Sequence, residues 1–120
     1  MRAGVCGLLV LAVALLTENA GAQSNDPDSA NHLLPACRQF IADKSSASVF
    51  MLGVCAGTIE GLGYMASLLP QEKRACPPPS VTNGQVVRVV VAYIERRPQR
   101  MHENFKELTL EALHDAWPCR

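Results

Sequence analysis

The residues of this 120-residue chain that could do chemistry are five cysteines, three histidines and a row of carboxylates near the C-terminus. With the N-terminal segment carrying Cys6 set aside, Cys37, Cys55, Cys76 and Cys119 remain, and an even count in an exported chain reads as two disulfides. A Cys/His nucleophile would need a free thiol, and these four are better used as bridges. His32, His102 and His114 fall on different helices or near their ends. None pairs with another His, Asp or Cys at metal-ligand spacing. Neither a nucleophile-elbow serine nor a phosphate-binding loop occurs, because the glycines at 53, 57 and 61 lie within a helical pattern rather than after a strand. The reading is therefore no catalytic residue, no metal and no cofactor. Glu103, Glu107, Glu111 and Asp115 recur every four residues. Like charges at that spacing oppose their own helix by about a few tenths of a kcal/mol per pair, so the stripe is expected to face solvent, to meet Arg96, Arg97 or Arg100, or to meet a basic partner.

The elements that must hold these groups begin after residue 22. Arg2, the apolar run from Val5 to Leu16 and the small residues Ala20-Gly21-Ala22 form a signal-peptide pattern, which places residues 1–22 outside the fold and the mature chain in an oxidising compartment, the periplasm of a bacterium. Residues 23–31 are polar and turn-rich and read as a flexible lead-in. The domain then covers 32–120. A first helix runs from about His32 to Ala42 with Pro35 in its first turn, and Asp43-Lys44-Ser45-Ser46 makes the turn after it. A second helix is capped by Ser46 or Ser48, continues to Leu69 and stops at Pro70.

Gly53, Gly57 and Gly61 stand four apart in that second helix, with Gly63 nearby. Each glycine costs about 1 kcal/mol against alanine inside a helix, so something must offset three of them on one face. Close approach of another backbone would do so: the first helix, the C-terminal hairpin or a second copy of the chain. The same segment is long enough to span a bilayer, and its small-xxx-small spacing is a membrane packing motif. Glu60 at its centre would cost about 2.5–3.5 kcal/mol there, and aromatic belts are missing from its ends. A disulfide-tied core helix, with no membrane anchor once the signal is cleaved, is the expectation.

Gln71 to Ser80 reads as a connecting loop stiffened by Pro77-Pro78-Pro79. Thr82-Asn83-Gly84-Gln85 is a capping box, and the valine-rich segment behind it sorts by helical spacing, with Val86, Val90, Tyr93 and Ile94 on one face and Arg88, Ala92, Glu95 and Arg96 on the other. Pro98 turns the chain at Arg97 and suits the first turn of the last helix. That helix carries Met101, Phe105, Leu108, Ala112 and Ala116 on one stripe, widened by Leu113 and Trp117. The two segments make a hairpin closed by Cys76 and Cys119. Of the three pairings open to four cysteines, Cys37–Cys55 and Cys76–Cys119 are favoured, because a short helix–helix loop joins the first pair and the hairpin ends join the second. Cys55–Cys76 would need the proline loop to run back along most of a helix.

Lysine plus arginine and aspartate plus glutamate both number 11, so the formal charge is zero. It is unevenly spread: six bases face one acid from Lys73 to Arg100, with acidic stretches on either side. This reads first as compensation within the chain. Nucleic acid is not indicated, since the bases are not interleaved with aromatics.

Taken together, Ala36-Cys37-Arg38, the run Cys55 to Gly61, Cys76 to Thr82 with Gln85, Val89-Val90 with Tyr93-Ile94, Arg97-Pro98, Met101-His102 and Ala112-Leu113 with Ala116 to Cys119 resemble the Rap/Tai-type immunity proteins. These are periplasmic inhibitors of the peptidoglycan amidase toxins delivered by type VI secretion. The resemblance covers about Leu33 to Cys119. It departs from the family at Thr58, where an aromatic residue is usual, at Ser80, where glycine is usual, and at Arg97, where histidine is usual. It implies an all-α, disulfide-stapled bundle of about four helices, no enzyme, that plugs the active-site groove of a cognate amidase effector, and often a homodimer. Candidate contacts are Pro78 and Pro79 of the loop, Arg96, Arg97 and Arg100 of the corner, and Glu103, Glu107 and Glu111 of the stripe. A small periplasmic acid-stress chaperone, which would suppress aggregation at low pH without one tight partner, is the alternative.

Overall fold

The structure, a computed structural model, describes residues 26–42 and 48–120. The signal-peptide pattern of residues 1–22 and the turn at 43–46 lie outside the described residues. Among the described residues there are four helices, α1 (Ala30–Ala42), α2 (Val49–Leu68), α3 (Asn83–Glu95) and α4 (Phe105–Ala116), with single 3-10 turns at Gln71–Lys73 and Pro98–Arg100. The all-α expectation holds.

Caps and prolines set most of the boundaries. Ser48 accepts from the Met51 N–H at the start of α2 and Thr82 from the Gln85 N–H at the start of α3, so side-chain oxygens satisfy donors that a helix N-terminus leaves free. α2 stops at Leu68 because Leu69 precedes Pro70 and is driven to extended backbone, with φ −68° and ψ 161°. The Arg74 guanidinium then donates to the Leu69 carbonyl at 2.8 Å.

Two boundaries differ from the sequence reading. α1 begins at Ala30, so Pro35 lies inside the helix rather than in its first turn. The helix reaches further back because its first donors are met from outside: the N–H groups of Ala30 and Asn31 donate to the carbonyls of Glu103 and Met101 at 3.0 and 2.8 Å, and the Phe105 N–H donates to the Asp28 carbonyl at 2.7 Å. Part of the segment read as a flexible lead-in is thereby folded, with Ser29 and Ala30 fully buried. The second difference is at Pro98, which opens a separate 3-10 turn instead of the last helix. α4 starts seven residues later, where Asn104 accepts from the Lys106 N–H. Proline fixes φ for either kind of turn, and a good cap downstream decides where the longer helix begins.

Phe105, Leu34, Ile59, Ile94, Leu108, Val87 and Val90 form the centre of the core. The Cys37–Cys55 disulfide is buried among them and ties α1 to α2 across 18 residues of sequence. Cys76–Cys119 closes the hairpin across 43 residues and sits at its periphery, reinforced by the Cys76 N–H donating to the Trp117 carbonyl at 2.7 Å. Both bridges are the pairs favoured from spacing. α1 and α4 each pack against α2 and α3. The helical faces read for α3 and α4 are the buried ones, widened by Val87 and Val91 on α3, while Ala116 is exposed.

Candidate partner-binding surface

The α3–α4 hairpin carries the candidate contacts at its two ends. At one end, Cys76 and Pro77 to Ser80 are all exposed, so Pro78 and Pro79 stand free on a segment anchored by the disulfide and by the α3 cap. At the other end is the Arg97-Pro98 corner. α3 has 13 residues, so roughly 20 Å separate the two at 1.5 Å per residue. The fold therefore does not bring all the candidates together; it spaces them along one hairpin.

The corner is organised by Arg100, which the 3-10 turn aims between two members of the acidic stripe. Its Nε and Nη2 donate to the two carboxylate oxygens of Glu103 at 2.8 and 2.6 Å, and Nη1 and Nη2 donate to Glu111 at 2.6 and 2.9 Å. The planar guanidinium is suited to such forked pairs. Tyr93 Oη donates to the same Glu111 carboxylate at 3.0 Å. Arg97 stacks its guanidinium 3.6 Å from the Tyr93 ring centroid and donates to the Tyr93 carbonyl at 3.0 Å. The hydrogen bonds from Arg100 hold the carboxyls of Glu103 and Glu111 below the usual range, and those carboxylates in turn raise Arg100. Burial, and then the bond to Glu111, pushes the Tyr93 hydroxyl up.

The stripe is thus half neutralised within the chain. Glu107 is exposed and lines an open groove of about 490 Å³ with Leu69, Lys73, Leu110, Glu111 and His114. His114 Nδ1 lies 3.0 Å from the Arg74 carbonyl, within reach to donate to it. Arg96 is exposed on the far side of α3, where it lines a second, smaller depression with Val89, Tyr93 and Asp115. Glu95 beside it pairs with Arg38 at 2.6 Å. Tyr93 is the residue that sequence reasoning counted only as core and the structure makes central to the corner. Its hydroxyl could have drawn notice, since a tyrosine facing a core usually finds a partner at its rim, and Glu111 lies on the helix across the corner. Among the described residues, no group of three His, Cys, Asp or Glu is placed to hold a metal ion.

Chemically, this arrangement offers rigid binding surface: a disulfide-anchored proline segment, a corner locked by charge-assisted hydrogen bonds, and an amphiphilic groove between. A family model described as Rap1a immunity proteins matches residues 29–119, from the buried serine ahead of α1 to the last bridging cysteine. The chain belongs to the Rap1a immunity protein family. No match was found among curated proteins or among solved structures. For this Rap1a-family protein, membership carries an immunity function against an effector, exercised by binding it. The matched span coincides with the stapled bundle and leaves out Met1 to Asp28.

Proposed function

We propose that this protein is a periplasmic immunity protein that occludes a peptidoglycan amidase toxin delivered by type VI secretion. The observation that carries this reading is the match to the immunity family over the whole stapled bundle. The structure supports the manner of inhibition. Exclusion of substrate from a groove needs a projecting surface that loses little freedom on docking, and Pro77–Pro79 are exposed, lack N–H groups and are anchored at Cys76. Glu107 and the groove beside Lys73 and His114 supply polar contacts near the α4 side of the same hairpin. Two disulfides fit an oxidising compartment.

The test is to look beside this gene for an amidase gene and to measure turnover of peptidoglycan by its purified product with the present protein in molar excess. Stoichiometric loss of activity is expected, together with a weaker inhibitor when Pro78 and Pro79 are both replaced by glycine or when Glu107 becomes lysine. Full amidase activity in the presence of excess wild-type protein would overturn the reading.

A further inference from the structure

The open groove beside α4 holds two opposite charges apart across apolar side chains. Leu69 and Leu110, both half-buried, are its apolar lining, with Glu107, Glu111 and His114 on the α4 wall and Lys73 on the other. Part of this charge is spent within the chain. Both oxygens of Glu111 already accept hydrogen bonds, from Arg100 and from Tyr93, and Lys106, the base next to Glu107 in sequence, is paired with Asp28 at 2.8 Å. Among the described residues neither Glu107 nor Lys73 belongs to an ion pair, and the two are not joined to each other. Glu72 is exposed but does not line the groove.

The two free charges lie toward opposite ends. On α4 the wall runs from Glu107 to His114, a distance of about 10 Å at 1.5 Å per residue. Lys73 belongs to the His114 end, because the carbonyl of the next residue, Arg74, is the group 3.0 Å from His114 Nδ1. Arg74 adds a second cation to that wall, its guanidinium held on the Leu69 carbonyl rather than on a carboxylate. The walls are fixed before anything binds. Besides the His114 contact, the Ala75 N–H donates to the Ala66 carbonyl at 3.2 Å, and the Cys76 N–H donates to the Trp117 carbonyl at 2.7 Å beside the Cys76–Cys119 bridge. At about 490 Å³ the groove falls within the range of small-molecule sites, about 300–1,000 Å³. An anion at one end, cations at the other and leucines between them match one kind of occupant, a linear molecule with an ammonium and a carboxylate at the two ends of an aliphatic chain. Such a ligand makes a charge-assisted hydrogen bond at each end while its methylenes cover Leu69 and Leu110. A ligand with a single charge leaves one end unmet.

We propose that the groove between Glu107 and Lys73 is a binding site for a small dipolar ligand of the ω-amino acid or diamino acid class, with its ammonium on Glu107 and its carboxylate on Lys73. Occupancy of this site needs no effector, so it stands or falls separately from the inhibitory function.

Amide NMR of the purified protein titrated with ω-aminooctanoate, whose extended chain is about as long as the groove, tests this beside octylamine and octanoate, which each keep one of the two charges. ω-Aminooctanoate should shift the amides of Lys73, Glu107, Leu110 and His114 with a Kd on the order of 1 mM, as suits a small ligand in an open groove. Each single-charge analogue should bind about fivefold more weakly. Glu107→Gln should weaken ω-aminooctanoate by about the same factor and leave octanoate unchanged, and Lys73→Met should weaken it likewise and leave octylamine unchanged. Both side chains are exposed, so both variants should keep the wild-type thermal transition. The proposal is overturned by the absence of any shift at about 20 mM ligand, by an affinity that either variant leaves unchanged, or by octylamine or octanoate binding as well as ω-aminooctanoate. Equal shifts at Phe50 and Tyr64, on the exposed apolar face of α2, would also overturn it, by showing that the alkyl chain adsorbs wherever apolar surface is open.

Discussion

Arg100 joins more of the corner than any other residue, holding Glu103 and Glu111 together while Tyr93 donates to the second of them. The direction of its effect with pH follows from the depressed carboxyls. A group whose folded pKa lies below its unfolded value contributes stability that is full above the unfolded pKa and is lost as pH falls through the folded one. The contribution of Glu103 and Glu111 should therefore be complete at neutral pH and fade as the pH falls below the ordinary carboxylate range of about 4–5. Arg100→Met should lower the Tm modestly at neutral pH, since the pairs are partly exposed, and thermal melts of variant and wild type should converge at the acid end. Tyr93 acts at the other extreme: with its folded pKa raised, stability falls as pH rises above about 10, where the unfolded chain ionises first. The acidic stripe and its arginines were legible from four-residue spacing, but which arginine binds which carboxylate was not. Arg96, Arg97 and Arg100 are equivalent as letters. The 3-10 turn that aims only Arg100 at the stripe depends on where α4 starts, and so on the Asn104 cap.

The helices show how far local signals reach. Val86 to Ile94 favours a strand by propensity, yet Thr82 caps it and its spacing is helical, and it folds as α3. Prolines were weaker guides. Pro35 reads as a first-turn residue until tertiary donors are counted, and the carbonyls of Met101 and Glu103 that extend α1 backward lie some 70 residues away in sequence, beyond the reach of any local pattern. On α2 the glycine spacing marked a special face but not its direction, since the same stripe would serve packing inward or outward. Only the placement of Cys55, Ile59 and Ala66 on the opposite, buried side settles it. Gly63 lies away from that outer stripe, and an added Cβ there meets nothing within 4 Å. Gly63→Ala should therefore stabilise the helix by about 0.5–1 kcal/mol, read as a rise in Tm of roughly 3–6 °C for a domain of this size, with the oligomeric state unchanged.

At the scale of the molecule, the disulfides do what a small core leaves undone. Loop-closure entropy makes the bridge over 18 residues worth about 3 kcal/mol and the one over 43 residues about 4 kcal/mol, against a total of about 5–15 kcal/mol for an ordinary domain. Cys76→Ser with Cys119→Ser removes a peripheral bridge and leaves the core intact. Urea unfolding should then show a loss of about 2–4 kcal/mol with the helix content retained in buffer. Losing Cys37 and Cys55 opens a cavity in the core as well, so that double variant should be the less stable of the two. The pairing also bears on how the chain matures. Each cysteine is joined to its immediate neighbour in the order of synthesis, Cys37 to Cys55 and Cys76 to Cys119. On the proposed periplasmic route, a polypeptide threaded out of the cytoplasm from its first residue onward meets the oxidant with only one of these two thiol pairs at a time, so the first crosslink can be sealed before the rival sulfurs arrive. Such a chain has no need of an isomerase to correct shuffled bonds.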